Sequence, residues 1–233
     1  MNALTYPTLQ QFLQPEAQQT FDRYTPISHL YMFYNLHISS AVTFPKQSGA
    51  AGYFIHDDFS RIPIDATQAT FITVTPYHYC HGFALEQSDV ENPETHELNP
   101  NFKIIILNKF LRICYKLIDD IEYDAMQLFK QTAELESNIH RPFTDILMHP
   151  ESHFPRETTA QKFYSKWCPK NYAFIFNCNE INHEFNPFGF MVIRRPITAG
   201  TQNLSHSLGI TVSARICFVI LNNNSFYKIK LRR

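Results

Sequence analysis

An apolar stripe through the middle of the chain constrains the fold more than any other feature. Ile106, Phe110, Ile113, Leu117, Ile121, Ala125 and Leu128 recur at three- and four-residue steps. Leu107, Leu111, Cys114 and Ile118 widen the stripe. That period is the α-helical one, with the apolar side chains gathered on a single broad face. Asn99-Pro100 supplies an N-cap and then a proline at the first helical position, where its missing N–H costs nothing. The spacing predicts one long, deeply buried helix, or two helices meeting near Asp119-Asp120. A stripe this broad suits a globular core, and a homodimer formed through the same helix is the competing use of it.

Strand signals lie on both sides. On the N-terminal side, residues 8–23 suit a short helix around Leu9, Phe12, Leu13, Ala17 and Phe21. His29 to Leu36 fits a helix and Ile38 to Phe44 a strand. Gly52 to His56 and the β-branched run Ala69 to Thr75 are further strands, with Tyr77 to Leu85 as a hairpin partner of the latter across Pro76. Glu86 to Glu97 carries five acidic residues and no basic one, and is the best candidate boundary. After the helix, Pro142, Pro150 and Pro155 break the chain into short helical or irregular pieces.

From Tyr172 onward the strand signals return: Tyr172 to Phe176, Phe190 to Ile193, one or two strands in Gly209 to Leu221, and Ser225 to Leu231. In the last of these, Phe226, Lys228 and Lys230 share one face and Tyr227, Ile229 and Leu231 the other. Lysines suit an edge strand, because they discourage pairing with other chains. The expected fold class is therefore α+β: a β-rich N-terminal half, a long central helix and a C-terminal antiparallel β region. The expected divisions are 1–90, 91–165 and 166–233.

The chain has 233 residues, 44% hydrophobic and 15% aromatic, enough for a substantial core. Charged residues are 18%, below the roughly 25% usual in soluble domains, which excludes wholesale disorder. There are six glycines, none between Gly82 and Gly189, so the Gly-rich phosphate loops of common nucleotide-binding enzymes are absent. No cofactor signature remains. Cys80, Cys114, Cys168, Cys178 and Cys217 are odd in number and widely spaced, as reduced thiols would be. Residues 1–19 are polar and Gln-rich without a signal-peptide core, and no apolar run reaches the ~18 residues that span a bilayer. The expectation is a cytoplasmic protein with no membrane segment.

Charge is unevenly placed. After Glu184 there is no acidic residue, yet Arg194, Arg195, Arg215, Lys228, Lys230, Arg232 and Arg233 follow. The first 184 residues hold thirteen basic residues against all twenty-one acidic ones, a formal net of −8. Such a split suggests that the C-terminal part meets an outside anion or the acidic remainder of the chain. Tyr227 with Lys228, Lys230 and Arg232-Arg233 would support weak single-stranded nucleic-acid binding.

Three clusters could carry chemistry. Tyr77-His78-Tyr79-Cys80-His81 puts His78 and Cys80 on one strand face and His81 on the other. Cys80 with a distant His would make a nucleophile pair; otherwise the run is an aromatic strand with satisfied histidines. His149-Pro150-Glu151, followed by Cys168 and Cys178, resembles zinc deaminases in placing His-x-Glu before two cysteines, although these are not paired as Cys-x-x-Cys. That resemblance implies zinc held by His149, Cys168 and Cys178, with Glu151 moving protons. His149 and His153 stand four apart, but Pro150 restricts a helical two-histidine site to a first turn.

The third cluster is Arg194-Arg195 ahead of Asn203-Leu204-Ser205-His206-Ser207-Leu208-Gly209. It resembles PilZ domains, small β-barrels that bind cyclic di-GMP, although Ser205 and Gly209 are one residue further apart than in that motif. The resemblance implies arginines that clamp phosphates and stack on guanine, a task suited to a planar guanidinium fork, and an Asn-x-Ser turn against the ligand. The residues point to a non-enzymatic binding or regulatory protein. Arg194, Arg195 and Arg215 would contact phosphate or carboxylate, with Asn203 and Ser205 as hydrogen-bonding partners. A zinc- or cysteine-dependent enzyme and an interaction module dimerising through the long helix are the alternatives.

Overall fold

The computed structural model describes residues 5–24, 32–35, 41–46, 70–86, 100–137, 139, 143–176, 190–194, 198–204, 207–220 and 226–231. Two helices stand among them, α1 (Thr5–Tyr24) and α2 (Pro100–Thr132). α2 is one unbroken helix of 33 residues that begins at Pro100 and carries Asp119-Asp120 without interruption. It buries Ile106, Phe110, Cys114, Leu117, Ile121, Ala125 and Phe129, while Ile113 and Leu128 of the expected stripe lie partly buried at its flank.

The first sheet runs β1 (Met32–Asn35), β9 (Phe190–Arg194), β11 (Ser207–Ile220), β10 (Thr198–Leu204), with β4 (Tyr77–Glu86) also on β11. β11 has 14 residues and is the spine of this sheet. β4 pairs with it antiparallel over Tyr77–Glu86. On its other edge lie β10 and then β9, because Ile216 pairs with both Tyr77 and Arg194. Strands from the first and last thirds of the sequence thus share one sheet. β1 joins parallel to β9, where the residues around Leu30 to Leu36 had suggested helix. Pairing to a distant strand has overridden local propensity there.

α2 packs across one face of this sheet, against β4 and β11, and α1 packs on α2 and β10. Leu9, Leu13, Ala17 and Phe21 form the buried side of α1 at four-residue steps. Gln14 ties that helix to the sheet, its Oε1 accepting the Ala199 N–H at 2.7 Å. Val212, Ala214 and Ile216 of β11 face the helices and are buried, whereas Ser213 and Arg215 alternate to the other face. On that outer face Thr211 lies in register with Gly82 on one side and Gly200 on the other. A Cβ on Gly82 would stand 3.0 Å from both the Ile210 carbonyl and Thr211 Cγ2, and one on Gly200 2.7 Å from Thr211 Oγ1. The glycines make room for the threonine between them.

The second sheet runs β5 (Glu134–Glu136), β12 (Phe226–Lys230), β8 (Tyr172–Phe176), β6 (Asp145–Met148), β7 (Gln161–Tyr164). β12 alternates as expected, with Phe226 in the main core and Tyr227, Ile229 and Leu231 in a second one. It is an interior strand, however, parallel to β5 and antiparallel to β8, so its lysines do not guard an edge. The proline-broken stretch after α2 supplies β6 and β7, both too short to show a period, and β6 is buried on both faces. The second core, with Ile139, Phe143 and Phe154 against it, closes the far side of this sheet.

The near side rests on the last turns of α2. The Phe129 ring lies 6.0, 5.7 and 5.6 Å from those of Phe174, Phe176 and Phe226. One helix therefore walls both sheets. A separate two-stranded ribbon, β2 (Val42–Lys46) with β3 (Thr70–Val74), belongs to neither sheet. β3 does not form the expected hairpin with β4: its partner is β2, and β4 turns to β11. The fold is α+β, with parallel pairs (β1–β9, β5–β12, β6–β7) among the antiparallel ones.

Candidate functional site

Neither chemical centre drawn from cysteine and histidine assembles among the described residues. Cys168 is buried, its thiol directed at the carbonyls of Leu147 and Tyr172, and burial pushes it up to about 12. A metal ligand must be a thiolate, and this environment opposes one. His149 Nδ1 accepts the Glu151 N–H at 3.1 Å, and Glu151 pairs with Lys170. Cys178 lies outside the described residues. No three His, Cys, Asp or Glu side chains among the described residues converge as a metal would require. On β4, His78 and Cys80 share the exposed face, as the alternation requires, while His81 turns inward to Asp120.

The basic residues are spread out. Arg215 is half-buried on the outer face of β11, in register with His78. Arg194 ends β9 in register with Ile216, and Asn203 lies near the end of β10 in register with Leu208. Those two levels are eight residue steps apart on β11, about 26 Å of strand. Arg195 and Ser205 lie outside the described residues. Lys228 has turned to the chain itself: its Nζ donates to the Lys130 carbonyl at 3.0 Å.

The polar centre of the molecule is instead the middle of α2. Asp120 and Asp124, one turn apart, reach β4: Tyr79 Oη donates to Asp124 at 2.6 Å, and His81 Nε2 lies 2.6 Å from Asp120. Burial and Asp124 together hold the Tyr79 phenol well above its usual range. Asp119 points to the turn before β8, accepting Trp167 Nε1–H at 2.9 Å and pairing with Lys166 Nζ at 2.6 Å. The Tyr123 ring meets Trp167 edge-on at 5.0 Å. Glu122 is only 6% exposed and its Oε1 has no partner among the described residues. Burial, then Asp119, pushes its carboxyl up to about 7, against a smaller downward pull from Lys166. These contacts fasten the helix to both sheets. They form a framework, with Asp120 and Asp124 turned to β4 and Asp119 to the turn before β8. The acidic residues near Asp119-Asp120 were visible in sequence, but nothing local told which strand or turn each would meet.

Several large apolar side chains are open on the surface. Tyr77 is 70% exposed, Ile104 62% and Leu135 55%, with Ile105, Tyr115 and Tyr164 also open. They are scattered over α2, β4, β5 and β7.

No protein-family model matches the chain, and no curated protein matches it in sequence. Its fold, by contrast, is found in solved structures along nearly the whole chain. The virus-like particle from Pyrococcus furiosus matches with a TM-score of 0.64 at 8% identity, covering 94% of this chain and 98% of that one. The capsid of a native GTA particle matches with a TM-score of 0.58 at 9% identity, covering 90% of each chain. The SrpI encapsulin of Synechococcus elongatus, solved as a holo complex, matches with a TM-score of 0.53 at 7% identity, covering 89% and 87%. At such identities the likeness establishes the fold that this chain shares with them.

This corrects the resemblance to PilZ domains. The segment 194–209 does not build a small barrel: it supplies β10 and the start of β11 to a sheet completed by β4, β9 and β1. The expectation of a regulator that binds an anionic small molecule, nucleotide or nucleic acid, alone or as a homodimer, falls with it, because the shared fold is that of capsid and encapsulin subunits. Among the described residues no helix is long and apolar enough to cross a membrane.

Proposed function

We propose that this protein is a structural subunit that assembles, in many copies, into a closed protein shell. The observation that carries this reading is the end-to-end fold match to the Pyrococcus furiosus virus-like particle, covering 94% of one chain and 98% of the other. The match to the GTA capsid and the encapsulin supports it from two further kinds of particle. Two physical features agree. Among the described residues the β2–β3 ribbon pairs with neither sheet, and two-stranded ribbons are marginal unless something packs on them. Large apolar side chains left open on several elements suit contacts with more than one neighbour. The long helix gives such a subunit stiffness, tied by Asp119, Asp120 and Asp124 to the elements on either side. Assembly would take place in the cytoplasm, where Cys80, Cys114 and Cys168 stay free thiols.

Light scattering coupled to size-exclusion chromatography, with negative-stain electron microscopy of the leading peak, tests this. The expected result is a particle of uniform diameter far above the 27.3 kDa of one chain. A 27.3 kDa monomer at every salt concentration and pH tried would overturn the proposal.

A further inference from the structure

Where the ribbon leaves the body there is a cleft of about 730 Å³, between the joint of β3 and β4 and the second half of α2. Its volume falls within the range of sites that enclose a ligand. Leu128 and Phe218 supply apolar surface, and Tyr77 and Tyr79 supply two aromatic rings. Asp124 lies in the same wall, accepting the Tyr79 hydroxyl, with Asp120 one helical turn away. Among the described residues no lining side chain is basic. A carboxylate beside two tyrosine rings is a receptor for a cation, through charge and through the ring faces.

The remaining lining suits a peptide rather than a free amine. Gln127 and Gln131 line the cleft from successive turns of α2, each offering an amide donor and acceptor to a peptide backbone. Thr75 and Pro76 lie between the β2–β3 and β4–β11 ladders and belong to neither. Among the described residues the Thr75 N–H and C=O have no strand partner, which suits an extended segment added along exposed backbone.

We propose that this cleft holds an extended segment of a partner protein, with one Arg or Lys side chain set against Asp124 between the rings of Tyr77 and Tyr79. This goes beyond the shell reading and does not depend on it, since the lining residues named here all come from one chain.

Fluorescence anisotropy of the purified protein tests it with two labelled peptides, Gly-Ala-Leu-Arg-Leu-Ala-Gly and the same sequence with Glu for Arg. The Arg peptide is expected to bind, and the Glu peptide to bind at least about tenfold more weakly. Asp124→Asn and Tyr77→Ala should each weaken the Arg peptide by about tenfold. Tyr77 is largely exposed, so Tyr77→Ala should keep the wild-type melting profile and serves where Asp124→Asn misfolds. Failure of the Arg peptide to bind, equal affinity for both peptides, or unchanged affinity in both variants would overturn the proposal. So would loss of self-association in Tyr77→Ala, because the cleft would then belong to a contact between copies.

Discussion

Lys228, in the interior strand β12, donates from Nζ to the backbone carbonyl of Lys130 at 3.0 Å, and so caps the end of α2. The last carbonyls of a helix have no partner inside it, and the negative end of its dipole favours a cation. One of the basic residues that follow Glu184 is therefore used within the chain, and it joins the second sheet to the helix that supports it. Lys228→Met keeps the stem and removes the charge and the donor. It should cost about 1–2 kcal/mol in urea unfolding, and a loss under about 0.3 kcal/mol would mean that water serves the carbonyl as well.

Phe129 is the ring on which the second sheet rests, 1% exposed and touching Phe174, Phe176 and Phe226. Phe129→Ala removes a large buried ring from a site bounded by two strands and a helix, which cannot collapse into the space. The expected loss is about 3–5 kcal/mol, with Phe129→Leu well under half of that. Equal losses in the two variants would show that ring contacts, and not volume, dominate.

Glu122 makes stability depend on pH. Its carboxyl is raised from 4.5 to about 7 in the folded chain, chiefly by burial. Between those values the native state holds a proton that the unfolded state has released. Stability contributed by this group therefore falls as pH rises from about 4.5 to about 7, and is level above that. Glu122→Gln should flatten the decline in a series of melts across this window. A slope identical to wild type would place the effect on another group.

The Gly82–Thr211–Gly200 row predicts a coupled pair. Gly200→Ala brings a methyl to 2.7 Å from Thr211 Oγ1 and should cost about 1–3 kcal/mol. In Gly200→Ala with Thr211→Ala the obstructing hydroxyl is gone, and part of that cost should return. A double-mutant cycle in thermal unfolding gives the coupling, expected at about 1 kcal/mol or more. Strict additivity would show that the strand shifts instead of resisting.

How much of this was legible in the sequence differs by element. α2 was readable because Ile106 to Leu128 report its buried face through local spacing, and Pro100 marks its start. Asp119-Asp120 suggested a break, yet both carboxylates are satisfied by Trp167, Lys166 and His81, so the helix had no reason to end. The faces of β4 and β12 were correct, since alternation fixes which residues share a side. Their partners were not. Nothing between Thr70 and Leu85 says that β3 should take β2 and that β4 should cross to a strand more than a hundred residues on. For the same reason β12 was expected at an edge. Arg194 and Arg195 were weighted for charge, a property that does not reveal its partner. Exposed apolar positions escape such a reading altogether, because Tyr77, Ile104 and Leu135 have the same composition signature as any core residue.

Because α2 backs both sheets, the main core is shared between them. A fragment ending before Pro100 keeps β4 without β11 and without the helix beneath them. One beginning after Thr132 keeps the aromatic residues of β8 and β12 but loses Phe129, the ring they close upon. Among the described residues, a cut on either side of α2 therefore opens the main core. Dissection by limited proteolysis should give intact protein or small peptides, with no stable intermediate fragment between them.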